Sequence, residues 1–174
     1  MYYKTSLLIL VLNVFFLLFV IGGFFGAIWV PTRKKDYKRI DALMDLRPGT
    51  ILYDLGSGSA DLLFYLSKKY NIKCVGIEIS PILYLYSKIK SLFYKNVEIK
   101  LGSFLWHDLK SADIIYVFLL PRIYDKLKNK IKNNTKENIK IILAVWPFEN
   151  IKPSKISADN KNMNYYFYYK RDLP

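Results

Sequence analysis

Two acidic residues and a pair of glycines carry the clearest chemistry in this sequence. Asp54-Leu55-Gly56-Ser57-Gly58-Ser59-Ala60 stands between a short β-branched and aromatic run and a helical pattern. A strand therefore ends in a glycine-rich turn that opens a helix. Glycines let the backbone turn sharply and let a ligand approach it closely. Glu78 ends the next strand-like run, 24 residues after Asp54. A carboxylate there can accept both hydroxyls of a ribose. Together these residues describe an adenosine site. In the competing reading, Gly56 and Gly58 make only a structural turn and Glu78 is a surface acid.

The neighbours of the loop discriminate between adenosine ligands. A dinucleotide site needs Gly-x-Gly-x-x-Gly with a helix N-terminus facing a pyrophosphate. Counted from Gly56, the third glycine is replaced by Asp61, and Asp54 adds a second negative charge just before the loop. Both would repel a pyrophosphate. S-adenosylmethionine has no phosphate and carries an ammonium and a sulfonium, so acidic neighbours suit it. Metal and triad chemistries are poorly supplied. Cys74 is the only cysteine and His107 the only histidine, so a thiolate cluster is excluded and a histidine-based site would rest on one residue. No metal site is expected. Asp108, beside His107, could take a proton, but its place between strands reads as a solvated turn residue.

The elements that must position these groups follow from periodicity. Asp36 to Leu46 reads as an amphipathic helix, with Ile40, Leu43, Met44 and Tyr37 at helical spacing. Strands are expected at 50–54, 73–78, 97–101, 113–119 and 139–145, and the tail holds one or two more, Tyr165 to Tyr169 being the clearest. Helices are expected at 61–70, 81–94 and 121–132, Pro81 sitting where a first turn tolerates proline. Strands alternating with helices, the fourth strand apolar throughout, predict an α/β doubly wound, mostly parallel sheet with helices on both faces. Such sheets bind ligands at the carboxyl ends of their strands. That directs attention to Asp54–Gly58, Glu78, Gly102–Phe104 and Leu119–Pro121.

Before this domain lies an almost wholly apolar stretch from Ser6 to Val30, with Asn13 its one strongly polar interruption. A helix of about 24 residues is roughly 36 Å long, enough to cross a hydrocarbon layer of about 30 Å. The run is too long for a signal-peptide core and lacks a small-x-small cleavage site. It lacks the polar face of an ordinary core helix. The expected organisation is a transmembrane anchor over residues 1–31 and one catalytic domain over 32–174. Lys4 lies on one flank, and Arg33, Lys34, Lys35, Lys38 and Arg39 lie on the other. The positive-inside rule therefore places the domain on the cytoplasmic side of the membrane. Trp29 fits the interfacial belt. The chain carries 27 Lys and Arg against 14 Asp and Glu, a net charge of +13, which favours anionic partners such as phospholipid head groups. No nucleic-acid recognition motif accompanies that charge, so no nucleic-acid partner is expected. The sequence does not fix an oligomeric state.

Asp54-Leu55-Gly56-Ser57-Gly58, with Glu78 closing the second strand, resembles the class I S-adenosylmethionine-dependent methyltransferases over roughly residues 45 to 150. Further neighbours narrow the likeness. Trp29-Val30-Pro31-Thr32 follows the apolar stretch, Ser80-Pro81 follows Glu78, and Trp146-Pro147-Phe148 ends the fifth strand. The arrangement is similar to the membrane-anchored protein-lysine methyltransferases typified by the mitochondrial enzyme that modifies the ATP synthase c subunit, and to their small prokaryotic relatives. The resemblance implies a Rossmann-like class I methyltransferase fold with S-adenosyl-L-methionine as cofactor. It implies that Asp54, Gly56, Ser57 and Gly58 flank the methionine part, that Glu78 with Ile79 holds the ribose, and that Ser103 and Phe104 lie along the adenine. Ala60 stands where this loop often has a third glycine, and Ser103 where Asp or Asn is common.

Leu119-Leu120-Pro121 replaces the Asn/Asp-Pro-Pro-aromatic motif used on nucleobases and glutamine. The fourth strand therefore offers no side-chain acceptor for a planar amine. A lysine ε-amine needs none once it is deprotonated and desolvated. Pro121, Tyr124 and Trp146, with Tyr116, are the candidates to hold it in line with the sulfonium, although an aromatic at any of those positions is more often simply core. The expected activity is N-methylation of a lysine on a membrane-associated protein. The alternatives are methylation of a membrane small molecule, a quinone or lipid, and a non-catalytic membrane adaptor that keeps the fold.

Overall fold

A computed structural model describes residues 30–159 and 161–174, with Ser6, Ile9, Leu10, Leu12 and Asn13 before them. The expected transmembrane helix, with Trp29 and the N-terminal flank, lies otherwise outside the described residues. Among the described residues, no helix is long and apolar enough to cross a membrane.

The described strands form one seven-stranded sheet in the order β3-β2-β1-β4-β5-β7-β6. They are β1 (Ile51–Leu55), β2 (Lys73–Glu78), β3 (Val97–Leu101), β4 (Ile114–Val117), β5 (Lys140–Ala144), β6 (Lys155–Ser157) and β7 (Tyr165–Tyr169). β1 to β5 pair in parallel, while β7 runs antiparallel to both β5 and β6. The helices are α1 (Tyr37–Met44), α2 (Asp61–Tyr70), α3 (Pro81–Ser91) and α4 (Tyr124–Asn134). The expected mostly parallel, Rossmann-like sheet is therefore present. The strand order reverses between β1 and β4, which opens a crevice at their carboxyl ends.

Side chains alternate along each strand and build a core on each face. Leu52, Cys74, Ile114, Tyr116 and Ile142 point to one face, where α1 and α2 cover them with Ile40, Met44, Leu63 and Leu66. Tyr53, Val75, Ile115, Ile141 and Tyr168 point to the other, where Leu127 and Ile131 of α4 meet them. The second face has fewer helices. Its cover is completed by Phe104, Leu109 and Phe148 from connecting segments.

Several boundaries move from the sequence expectation for local reasons. α1 stops at Met44 because Asp45 turns left-handed (φ 48°). β4 ends at Val117, and Phe118 to Leu120 leave the ladder to form one wall of the crevice. A 3-10 turn, Pro121–Ile123, precedes α4. β5 ends in a tight turn in which Trp146 N–H donates to Ala144 O (2.9 Å) around Val145 at φ 71°. A β-branched residue rarely takes that backbone conformation, so local strain sits beside the crevice.

Candidate active site

The glycine loop is shaped by three left-handed residues: Gly56 (φ 88°), Gly58 (φ 54°) and Ala60 (φ 57°). Gly56 and Ser57 both donate their N–H groups to Ile77 O (2.8 and 3.1 Å), folding the loop over the end of β2. Gly56 is required by conformation and by contact, and Gly76, in β2, by contact alone. A Cβ on Gly56 would stand 2.7 Å from Cδ2 of Leu119, and one on Gly76 would stand 2.6 Å from Oγ of Ser57. The loop therefore fits between the exit of β4 and the middle of β2.

Glu78 is buried, and its carboxylate joins the loop to the start of α3. Oε2 accepts from Gly58 N–H and Oε1 from Ser80 N–H, each at 2.7 Å. Each carboxylate oxygen keeps further lone-pair capacity, so a ribose diol can still be bound in addition. Burial raises the pKa of Glu78, and the backbone donors oppose that shift. Asp54 lies across the loop at the end of β1, 5% exposed. Burial, and then the neighbouring Glu78 charge, push its pKa up to about 8. Asp61 sits in the first turn of α2, where the helix dipole favours a carboxylate. It accepts from Ser59 Oγ (2.7 Å) and pairs with Lys90 (2.5 Å).

The segment before α1 also closes on the crevice, which periodicity gave no means of seeing. Thr32 Oγ1 meets the Tyr116 hydroxyl at 3.1 Å. The Tyr37 hydroxyl is buried without a partner, and its pKa is pushed up to about 12 by burial and then by the charges of Asp61 and Asp54. Ser57 Oγ is likewise buried and unpaired. Buried polar atoms are normally hydrogen-bonded. Two orphan hydroxyls beside a buried Asp54 carboxyl and a glycine turn thus fit a ligand with polar and cationic groups at one end and a ribose at the other. S-adenosylmethionine meets that description, with no phosphate to oppose Asp54 and Asp61.

The remaining expected residues separate. Ile79 is half-buried beside Glu78, and Ser103 follows β3 with its Oγ accepting from Leu105 N–H (3.3 Å). Phe104 is buried in the second-face core, as is Tyr124, whose hydroxyl donates to Trp146 O (3.1 Å). Tyr124 thus braces Trp146 rather than presenting its own hydroxyl to the crevice. Trp146 is half-buried and pairs with Phe118 across the ends of β5 and β4, ring centroids 6.3 Å apart. Pro121 is exposed at the start of its 3-10 turn. Phe118 was missed in the sequence because it lies inside an apolar run that reads as strand. Asp108 is the turn residue expected, accepting from Lys110 N–H (3.1 Å) and Asn134 Nδ2 (3.0 Å). Cys74 is buried in the first-face core, its thiol pushed up to about 12 by burial. Among the described residues no cluster could hold a metal ion.

This sheet order and this site define a class I S-adenosylmethionine-dependent methyltransferase. The model of the ANTKMT methyltransferase domain matches residues 54–155, more than half of the chain, and the chain belongs to that family. A curated relative, a protein-lysine N-methyltransferase of Saccharolobus islandicus (strain REY15A), is 27% identical over 145 residues, 80% of this chain and 90% of the relative. Among solved structures, an RNA methyltransferase from Salinibacter ruber in complex with S-adenosyl-L-homocysteine superposes with a TM-score of 0.76 at 24% identity, covering 83% of this chain and 94% of that one. Coclaurine N-methyltransferase, bound to N-methylheliamine and S-adenosyl-L-homocysteine, gives a TM-score of 0.55 at 22% identity over 63% of this chain and 35% of that one. At those identities the two structures show the shared fold.

Proposed function

We propose that this methyltransferase transfers a methyl group to a lysine ε-amine of a membrane-associated protein, held at the bilayer by its 1–31 segment with the 32–174 domain on the cytoplasmic side. The observation that carries the lysine reading is the exit of β4. Phe118-Leu119-Leu120 lines it with apolar side chains and offers no amide or carboxylate to a planar amine. The Saccharolobus islandicus relative, named as a protein-lysine N-methyltransferase, supports the same substrate class. The apolar stretch 6–30 and the basic cluster after it support the anchor.

In this reading Asp54, Gly56, Ser57 and Gly58 hold the methionine end of the cofactor. Glu78 and Ile79 take the ribose, and Ser103 with Phe104 borders the adenine. When bound, the cofactor supplies an electrophilic methyl group on sulfur. The chain's own residues must deliver the amine without its proton. Phe118 and Trp146 offer ring faces that attract an arriving ammonium. Their apolar surroundings then disfavour the charged form, so the lysine gives up its proton to solvent on entry. Tyr124 holds Trp146 through its carbonyl, which keeps the ring pair in line with the cofactor loop.

Incubating membranes with the full chain and radiolabelled S-adenosylmethionine tests the acceptor. Label recovered as methyl-lysine from a protein band is the expected result. Label in the organic extract would instead establish a quinone or lipid acceptor, and label in RNA would overturn the reading outright.

A further inference from the structure

α3 is amphipathic in the inverted sense. Its buried residues are Ser87 and Ser91, whose hydroxyls donate back to Leu83 O, Tyr84 O and Lys88 O of their own helix. Tyr84 packs against the first-face core, but other large apolar residues point away from the sheet. Leu85, Tyr86 and Ile89 lie along one side of the helix, and Leu92 and Phe93, in the turn just past its end, continue them, the last 84% exposed. Scattered exposed apolar residues need no explanation, but a continuous stripe of five does. Basic residues border it. Lys68, Lys88 and Lys95 have no ion-pair partner among the described residues, while Lys90 is paired with Asp61. At the end of the stripe, Phe93 forms the rim of a surface pocket of about 410 Å³ that Lys68, Asn71, Lys95 and Asn96 also line. Asp61, the carboxylate that pairs with Lys90 of α3, is neutralised by it.

We propose that the outer face of α3 lies against an anionic lipid surface, with the stripe entering the head-group layer and the Lys68–Lys95 pocket taking a lipid phosphate. An apolar stripe flanked by lysines is the pattern of an interfacial helix, and the lysines match the sign of that surface. The inference rests on the membrane reading above for the chain's presence at a bilayer. It adds a second contact, which fixes how the domain sits on the membrane.

The test uses the full chain with single reporter cysteines at Ile89→Cys, Phe93→Cys and, on the opposite face of the sheet, Asn129→Cys, each carrying an environment-sensitive fluorophore. Cys74 is buried, so the unsubstituted chain gives the labelling background. In vesicles of phosphatidylcholine with one quarter phosphatidylglycerol, labels at 89 and 93 are expected to shift to the blue. Acyl-chain quenchers should dim them several-fold while leaving the label at 129 unchanged. Adding Lys68→Glu and Lys95→Glu should reduce that quenching at least twofold. A chain that floats with the vesicles but gives the same aqueous emission at 89, 93 and 129 would overturn the α3 contact alone. A chain that does not float would overturn the anchor and this inference together. A blue shift in lipid-free detergent that grows with protein concentration would show a second copy of the chain on this face, and would also overturn the proposal.

Discussion

At the scale of single residues, Glu78 and Asp54 divide the work of the loop differently from what two surface carboxylates would do. Glu78 accepts a backbone N–H on each oxygen. Glutamine would turn its Nε2 toward one of those donors and leave it unpaired. Glu78→Gln should therefore cost about 1–3 kcal/mol in thermal unfolding and also weaken cofactor binding in calorimetry. A variant with unaltered stability would show that the two bonds do not hold the loop. Asp54 controls pH dependence. Its folded pKa is about 8, whereas an unfolded aspartate releases its proton near 4. Between those values the folded state binds the extra proton, so stability without cofactor falls as pH rises through the window, by up to about 1.4 kcal/mol per pH unit. Burial raises Glu78 as well, which acts with the same sign. Urea midpoints between about pH 5 and pH 8 should fall in the unsubstituted chain and flatten in Asp54→Asn. An equally steep decline in the variant would remove Asp54 from the account.

At the scale of elements, the loop is a joint between strands and helix, and its fit is steric. Gly76 of β2 leaves room for Ser57, whose Oγ and Cβ would stand 2.6 and 2.9 Å from an added methyl group. Gly76→Ala should push the loop off β2, costing about 1–3 kcal/mol and lowering cofactor affinity more than substitution of an exposed residue such as Asn129. Ala60 poses the opposite problem. It caps α2 in the left-handed region while buried, so glycine would relax the backbone but remove a packed methyl group. Those effects nearly cancel, and Ala60→Gly should lie within about 1 kcal/mol of the parent by thermal melting. Ala60→Val, branched at a position with φ 57°, should lose more than about 2 kcal/mol. Equal melting temperatures for the two variants would contradict the backbone argument.

At the scale of the whole molecule, the segment before α1 is tied to the far edge of the sheet. Asp36 is buried and pairs with Arg33 (2.8 Å) and Arg39 (3.2 Å). Arg39 also donates to Met163 O (2.9 Å) and Ser157 O (2.7 Å), which fixes α1 against β6 and the approach to β7. The chain leaving residue 30 is thereby held over the crevice, with Thr32 on Tyr116. Arg39→Ala would leave Arg33 as the one cation paired with buried Asp36 and would remove a donor from each of two carbonyls, so a loss of about 3 kcal/mol is expected. Because Thr32 would lose its support, cofactor affinity should fall too. A destabilised variant that binds cofactor as tightly as the parent would separate the clamp from the site.

The sequence by itself determined the sheet, the position of the glycine turn and the placement of Asp54 and Glu78 at strand ends. Those features are local: apolar runs, glycines and helix starts act over a few residues, and parallel strands then bring their carboxyl ends together. The helix at 61–70 and the strands at 73–78 and 97–101 were legible to the residue. Tertiary structure alone decided the rest. Thr32 reaches Tyr116 across 84 positions, and the Arg39 clamp spans more than a hundred. No spacing rule encodes such bonds. The direction in which an amphipathic helix turns was also undecided by its pattern. The same periodicity in α3 fits an apolar face turned inward or outward, and only packing shows that the serines meet the sheet. Tyr124 and Phe118 exchanged expected roles for a related reason. An aromatic at a strand end can face core or crevice, and the neighbours contributed by distant segments settle which.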